Sequence, residues 1–333
     1  MPRVALIQVV YNSLRFIPTV FPTALNQTEK DTRMYVVIAG NDDSGREYIA
    51  EHFPLVHIID PGYNVGFARG HNLIFSEVDA EYFQLINPDL IVSPDFVEKM
   101  LVPFEQLPKV GAAGGKLLKY DFERGAPTDI LDSTGVCIRK SGQALDRGQH
   151  EQDSGQYDNQ RALMAVSGAA AMFRRSALED IVENNGGEHP QFFDEDFHSY
   201  FEDVDLCWRM YNRGWHIRYQ PNAIAWHGRT VASSPGGYSR VFSLIRHRKE
   251  IPLAIRRLNY KNHFFLFMKN SPKWYLRFIA RELLYNVYTF LIDISVLKVW
   301  PEMWRQFPGM REKRKALKRK RQISLEDAGR LLD

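Results

Sequence analysis

A chain of 333 residues with 44% hydrophobic and 25% charged side chains has enough apolar surface for a sizeable core, which excludes a disordered or fibrous polymer. Its net charge of +3 is uneven: residues 311–321, REKRKALKRKR, carry eight of the 43 basic and one of the 40 acidic residues, leaving 35 basic against 39 acidic elsewhere. The only cysteines, Cys137 and Cys207, are far apart with no CxxC or Cys/His cluster, which excludes a disulfide framework and a structural zinc site and favours a reducing, cytosolic setting.

The N-terminal MPRVALIQVVYNS moves from a short apolar run straight into polar residues, with no small-residue cleavage site, and reads as a first strand and not a signal peptide. MYVVIAG, VHIID and YFQLIN repeat the strand pattern, while SLRFIPTVFPTALNQ, GREYIAEHF and FARGHNLIFSEV between them have helical length. This alternation predicts βαβ units around a mostly parallel sheet buried on both faces. Ligands of such sheets bind beyond the carboxyl ends of the strands. The residues there are Tyr11 and Asn12, Asn41 to Asp43, Pro61 to Asn64, and Asn87 to Asp89, every exit being polar or turn-forming.

Residues 115–160 loosen into glycine-rich polar sequence that predicts short antiparallel strands and a long loop, and LMAVSGAAAMFRR predicts a buried strand after it. A helix over EDVDLCWRMYNRG and a further strand, GWHIRYQPNAIAWHG, follow. No internal repeat is visible.

Four stretches could carry chemistry. In INPDL, Asn87 and Asp89 put an amide and a carboxylate at the sheet edge, suited to an oxygen-ligated divalent cation against a diphosphate, although Asn-Pro-Asp is also a good turn. In GYNVGFARGHN, Gly62, Gly66 and Gly70 permit tight turns, Asn64 and Asn72 offer hydrogen bonds, and Arg69 carries the charge a phosphate needs. The spacing is neither a P-loop nor a dinucleotide fingerprint, which disfavours a dehydrogenase. FEDVDLCWR places Glu202, Asp203 and Asp205 within four positions, where acidic residues also suit a helix N-terminus, and Asp205 with Arg209 has i,i+4 spacing. His227 after AIAW is a candidate ligand or a buried core histidine, and Trp208, Trp215 and Trp226 are core or a stacking platform for a sugar ring.

Taken in order, VVYN, IAGNDDS, NVGFARGHN, INPDL, SGAAAMFRR, FFDEDFHSYFEDVDLCWRMYNRGW and AWH resemble the family 2 inverting glycosyltransferases of the GT-A fold, in particular the bacterial rhamnosyltransferase-like branch, from about Ala5 to about residue 270. The resemblance implies an α/β, Rossmann-like central sheet with helices on both faces and a C-terminal helical extension. It implies Asp203 as catalytic base, Asp89 and His227 as ligands of Mg2+ or Mn2+, and Glu202 and Trp226 on the acceptor side. Tyr11, Asn12, Asn41, Asp42, Asn64, Gly66, Arg69, Asn72 and Asn87 are then expected at the donor. One departure concerns nucleotide recognition: where the family has Asp before this Asn, the chain has Gly40, and Asp42 is the neighbouring carboxylate that could replace it.

The implied activity is metal-dependent inverting transfer of a sugar, L-rhamnose from dTDP-rhamnose in the branch reading, to a cell-surface polysaccharide or glycolipid precursor. Alternatives are a soluble enzyme using a UDP-sugar on a protein or small molecule, and a non-catalytic sugar-nucleotide-binding protein. Expected partners are a dTDP- or UDP-sugar, a saccharide or lipid-linked saccharide and an anionic membrane surface; a homo-oligomer is compatible with this, and nucleic acid is not expected, because no aromatic residues interleave with the basic run. The expected organisation is a transferase domain over 1–235, a helical region over 236–310 and a basic tail over 311–333. Arg277, Arg281, Glu282, Asp293 and Lys298 interrupt the apolar stretch 274–300, so it predicts an amphipathic helix on the domain or in the membrane interface and not a span. With the basic run this gives an expected location in the cytoplasm, peripheral on the inner face of the plasma membrane.

Overall fold

The computed structural model describes residues 1–40, 43–183, 189–229 and 251–332. Parallel strands β1 (Val4–Val10), β2 (Thr32–Ile38), β3 (His57–Ile59) and β4 (Tyr82–Leu85) lie in the order β3-β2-β1-β4. They are joined through α1 (Ile17–Leu25), α2 (Asp43–His52) and α3 (Gly66–Glu77). The run Val4-Ala5-Leu6-Ile7 explains the two-faced burial: Val4 and Leu6 pack with Val20 and Phe21 of α1 on one face, Ala5 and Ile7 with Ile74 and Phe75 of α3 on the other.

Beyond β4 the sheet becomes mixed. β5 (Leu90–Val92) is followed by α4 (Phe96–Gln106), and β6 (Val110–Asp121) pairs antiparallel with β7 (Ala126–Ser133); β8 (Val136–Ile138) and β9 (Ala144–Asp146) form a separate ribbon. β10 (Ala162–Leu163) lies at the sheet edge, and β11 (Ala171–Arg174) runs antiparallel between β4 and β6. The continuous strand expected over LMAVSGAAAMFRR is therefore two short ones. Ser167-Gly168-Ala169-Ala170 makes a turn instead, and the Asn87 N–H donates to the Ala169 carbonyl at 2.9 Å, which fixes that turn at the carboxyl end of β4.

After β11 come α5 (Arg175–Ile181), α6 (Glu202–Asn212) and β12 (His216–His227). β12 runs parallel to β6 with a register irregularity between Gln220 and Ile224, where Pro221 has no N–H to give the ladder. β5 pairs antiparallel with the end of β12, placing Leu90 opposite His227.

The C-terminal part is helical: α7 (Leu253–Asn270), α8 (Leu276–Ile292), α9 (Trp300–Lys320) and α10 (Leu325–Arg330). α7 packs Phe265, Leu266 and Phe267 into the core that also holds Leu206 and Trp208 of α6. The expected boundary at residue 311 falls inside α9, a single helix that carries the basic run to Lys320. The chain then returns to the body: the Gln322 N–H donates to the Asn212 carbonyl at 2.9 Å, the Tyr211 hydroxyl to the Asp327 carbonyl at 2.8 Å, and Leu332 bridges to Ile138.

Candidate active site

Asp89, Asn87, the 167–170 turn and His227 reach one edge of the sheet for separate topological reasons. Asn87 and Asp89 follow β4, the turn precedes antiparallel β11, and His227 ends β12 beside β5. The Gly228 N–H donates to the Asp89 carbonyl at 2.9 Å, tying the two strand ends together. His227 Nε2 then lies 3.2 Å from Asp89 Oδ1, and Nδ1 lies 2.9 Å from Oδ2 of fully buried Asp132. Asp132 also meets Arg229 Nε at 2.8 Å, and Arg229 pairs in turn with Asp146. Burial disfavours the imidazolium, but Asp132 and Asp89 outweigh it and push the His227 pKa up to about 10.

This arrangement fits a divalent cation. A histidine that donates Nδ1–H to a buried carboxylate has its ring fixed, and its Nε2 would bind a cation once that cation displaces the proton now shared with Asp89, as metal binding to histidine releases a proton. Nε2 and Asp89 Oδ1 are separated by a distance close to the ~3 Å between adjacent octahedral positions with bonds of about 2.1 Å. Among the described residues no group of three or more His, Cys, Asp or Glu side chains is arranged to hold a metal alone. Asp89 and His227 would therefore share the ion with water and donor phosphates, as hard cations on nucleotide substrates commonly are bound. Asp132 is absent from the sequence expectations: it lies 95 positions before His227 in a stretch with no motif.

Asp203 sits in the first turn of α6, with the Gly168 N–H donating to Oδ2 at 2.6 Å and the Val204 N–H to Oδ1 at 2.8 Å. Gly168 suits this close approach, since a Cβ there would lie 3.1 Å from both Cβ and Oδ2 of Asp203 and would press the carboxylate out of place by a few tenths of an ångström. Burial raises the Asp203 carboxyl to about 6, against the pull of these N–H groups. Each oxygen keeps a lone pair, so the carboxylate remains able to accept a proton.

Glu202 is 5% exposed and its Oε2 has no hydrogen-bond partner among the described residues. Burial and the adjacent Asp203 hold its carboxyl well above the usual range. The third carboxylate has the helix-bound role that its spacing predicts. Asp205 Oδ2 meets Arg209 Nε at 2.8 Å and Lys269 Nζ at 3.0 Å, and Oδ1 accepts from Asn270 at 2.7 Å, all buried. Lys269 also binds Asp194 Oδ2 at 2.6 Å, and Lys313 binds Asp194 Oδ1 at 2.5 Å, so α7 and α9 are clamped to the segments around the site.

The loop before α6 is held from the same direction. His198, Tyr200 and Phe201 have φ of 61°, 71° and 71°, left-handed conformations that cost about 1–3 kcal/mol each for such residues. The Asn262 amide of α7 donates to the carbonyls of Phe197, Ser199 and Tyr200, each at 2.9 Å, and Lys261 Nζ donates to that of Asp196 at 2.8 Å. Neither residue is signalled by the sequence, because the loop carbonyls they hold lie sixty and more positions away.

The donor-side expectations divide. Tyr11 and Asn12 are exposed just beyond β1, Asn12 with φ 50°. Asn64 Oδ1 accepts from the Gly66 N–H at 2.9 Å, opening α3, and Arg69 is exposed with its guanidinium 5.8 Å from the Tyr63 ring. Asn87 is half-buried at the edge. Asn72 requires a correction: it is buried, its Oδ1 accepts from the Phe193 N–H at 2.8 Å and its Nδ2 donates to the Phe193 carbonyl at 2.9 Å and to Glu195, so it braces the protein and has no amide left to turn to a donor. Trp226 alternates with His227 along β12 and so faces the other side of the strand from it. Asn41 and Asp42 lie outside the described residues. Of the other tryptophans, Trp208 is core and Trp215 is half-buried, its indole N–H on Asp180 at 2.9 Å.

The family model for glycosyl transferase family 2 matches residues 6–182, more than half of the chain. The chain belongs to glycosyl transferase family 2. It is similar to a poly-beta-1,6-N-acetyl-D-glucosamine synthase of Staphylococcus epidermidis, 22% identical over 222 residues, which cover 65% of this chain and 47% of the relative. It is also similar to an N-acetylglucosaminyl-diphospho-decaprenol L-rhamnosyltransferase of Mycobacterium tuberculosis, 24% identical over 221 residues, 60% of this chain and 67% of the relative. The chain thus spans about half the length of the synthases it matches. Among solved structures, the mannosyltransferase PcManGT from Pyrobaculum calidifontis, in complex with GDP-Man and Mn2+, aligns with a TM-score of 0.51 at 18% identity over 99% of this chain and 78% of that one, a likeness of fold. The α/β GT-A-like architecture with C-terminal helices is thereby that of a family 2 glycosyltransferase.

Proposed function

We propose that this chain is a metal-dependent inverting glycosyltransferase that moves a sugar from a dTDP- or UDP-sugar to a hydroxyl of a polysaccharide or glycolipid precursor, with Asp203 as the base. The observation that carries this reading is the Asp203 carboxylate, fixed by the Val204 N–H of its own helix and by the Gly168 N–H on a turn that is hydrogen-bonded to the Asn87 backbone, two residues from Asp89. An acceptor hydroxyl is far too weak an acid to ionise at neutral pH, so its proton leaves as the new bond to the anomeric carbon forms, and a carboxylate with a pKa near 6 is well placed to take it. Attack opposite the diphosphate inverts that carbon. No enzyme nucleophile is needed. A divalent cation held by Asp89 and His227 would supply charge neutralisation for the departing diphosphate. Asp132 keeps the His227 ring in place, and Glu202, whose carboxyl burial and Asp203 hold well above the usual range, stands beside the base on the acceptor side.

L-Rhamnose from dTDP-rhamnose is the preferred donor, supported by the similarity to the rhamnosyltransferase; the similarity to the N-acetylglucosamine polymer synthases makes UDP-N-acetylglucosamine the competing one. A thermal-shift panel of nucleotide sugars with Mn2+ decides between them, because a bound donor stabilises the native state according to its affinity. The donor that raises Tm most should also be the one consumed by wild type and not by Asp203→Asn. A panel in which no nucleotide sugar shifts Tm, with or without Mn2+, would remove the reading.

A further inference from the structure

α8 is amphipathic the wrong way round for a helix packed on a protein in water. Three of its polar residues face inward: Glu282 pairs with His263 of α7 at 2.9 Å, Asn286 contacts the Tyr260 hydroxyl, and Thr289 is buried, while Arg277 is exposed beside the apolar face. Leu276, Leu283, Leu284, Val287, Phe290 and Leu291 are 58 to 80% exposed and occupy roughly a third of the helix circumference at 3.6 residues per turn. This is a contiguous stripe, unlike the single exposed apolar residues common on any surface.

We propose that this face of α8 docks into the headgroup–acyl boundary of a membrane containing anionic lipid. Three observations choose a bilayer over another protein surface. The exposed indoles of Trp274, Trp300 and Trp304 flank the stripe in sequence, the residue type that concentrates at membrane–water boundaries. Arg314 of α9 lies with its guanidinium 5.5 Å from the Trp274 ring, so the basic helix adjoins the start of the stripe, and its Arg311, Lys315, Lys318, Arg319 and Lys320 are exposed for anionic headgroups. A symmetric self-association through α8 would instead bring two such basic helices toward each other. The inference places α8 along the surface: no single described helix is long and apolar enough to span, and α8 with the following helical segment reaches that length and composition only as a pair bent by 111°.

The test is co-sedimentation of the full chain with vesicles of phosphatidylcholine alone and with 30% phosphatidylglycerol, at low and high salt. Light scattering of the free protein and donor hydrolysis in solution are read alongside. Wild type should pellet with the anionic vesicles at least tenfold more than with the neutral ones and be released by salt. Leu283→Glu/Leu291→Glu should stay in the supernatant with unchanged Tm and unchanged donor hydrolysis, and Lys315→Glu/Arg319→Glu should lose the preference for anionic lipid. Equal partition of wild type to both vesicles, or none to either, overturns the inference. So does a wild-type dimer that Leu283→Glu/Leu291→Glu converts to a monomer without any vesicle binding. Loss of donor turnover in every protein, with vesicle binding intact, would count against the proposed chemistry and leave the docking face standing.

Discussion

The Gly168 N–H and the Asp203 carboxylate meet at 2.6 Å across a turn that breaks what would otherwise be one strand, and this contact joins the acidic helix to the edge of the sheet. It holds one carboxylate oxygen while burial raises the group to about 6, so the residue is positioned and poorly solvated together.

Changing Asp203→Asn should lower kcat by about 10²–10⁴, the usual contribution of a general base, with donor affinity retained. In wild type, kcat/KM should rise as pH increases through about 6, since only the ionised carboxylate accepts a proton. The sign for stability is opposite: a carboxyl whose folded pKa exceeds its ordinary value of 3.8 favours the native state less as pH rises from about 4 to about 6. Asp203→Asn should therefore be at least as stable as wild type at pH 8 by thermal melting. An acid limb near pH 4 would remove this assignment.

Asp132→Asn should weaken Mn2+ binding by about 10–100-fold while leaving Asp89 and His227 in place, the usual effect of losing a carboxylate behind a ligand histidine. Titration calorimetry with Mn2+ and nucleotide reads the affinity directly. Asp89→Ala and His227→Ala should lose the metal effect on Tm, and excess chelator should abolish transfer; full transfer in excess chelator would exclude a metal role.

Asn262→Ala releases three carbonyls of a loop that contains three left-handed residues. It should cost about 1–3 kcal/mol of stability, the penalty for unpaired buried acceptors. Transfer should lose kcat by a larger factor than donor KM rises, because the misplaced element is the start of α6 and not the donor loop. A fall in apparent kcat that only tracks the folded fraction, with KM unchanged, would mean a general loss of folded protein.

Lys269→Met leaves Asp194 and Asp205 buried beside each other's remaining partners, and should cost about 3–5 kcal/mol by chemical denaturation. Burial opposes the Asp194 charge, but Lys269 and Lys313 hold that carboxyl far below its ordinary value of 3.8. Its contribution is thus present above about pH 4 and is lost only as pH falls further toward the folded value. The variant should show a flatter acid limb of stability than wild type.

Restoring the family's aspartate by Gly40→Asp should be disruptive. Gly40 has φ +140°, and a Cβ there would lie 3.0 Å from two ring carbons of Tyr11. A fall in Tm that Tyr11→Ala partly reverses would show that the aromatic ring, and not the backbone alone, keeps this position a glycine.

How much was legible differs by the range of the interaction involved. The alternation of apolar runs was enough for β1 to β4 and the helices between them, because two-faced burial imposes a continuous apolar strand. The i,i+4 spacing was enough for Asp205 and Arg209, a contact within one helix. Polarity alone misplaced Asn72, since an amide after a glycine-rich loop looks the same whether it faces a ligand or, as here, the backbone of Phe193. Composition read 163–175 as one strand, because Gly168 and two alanines are compatible with a buried strand and with the tight turn that Asp203 requires.

The sequence by itself determined the family, the parallel half of the sheet and the carboxylates worth inspecting, all properties of local pattern and motif order. Only the tertiary structure decided that Asp132 stands behind His227, that Asn262 braces the loop before Asp203, and that α8 turns its polar side inward. Each depends on which distant backbone or side chain arrives at a given place. Chain topology sets that, and spacing along the chain does not encode it.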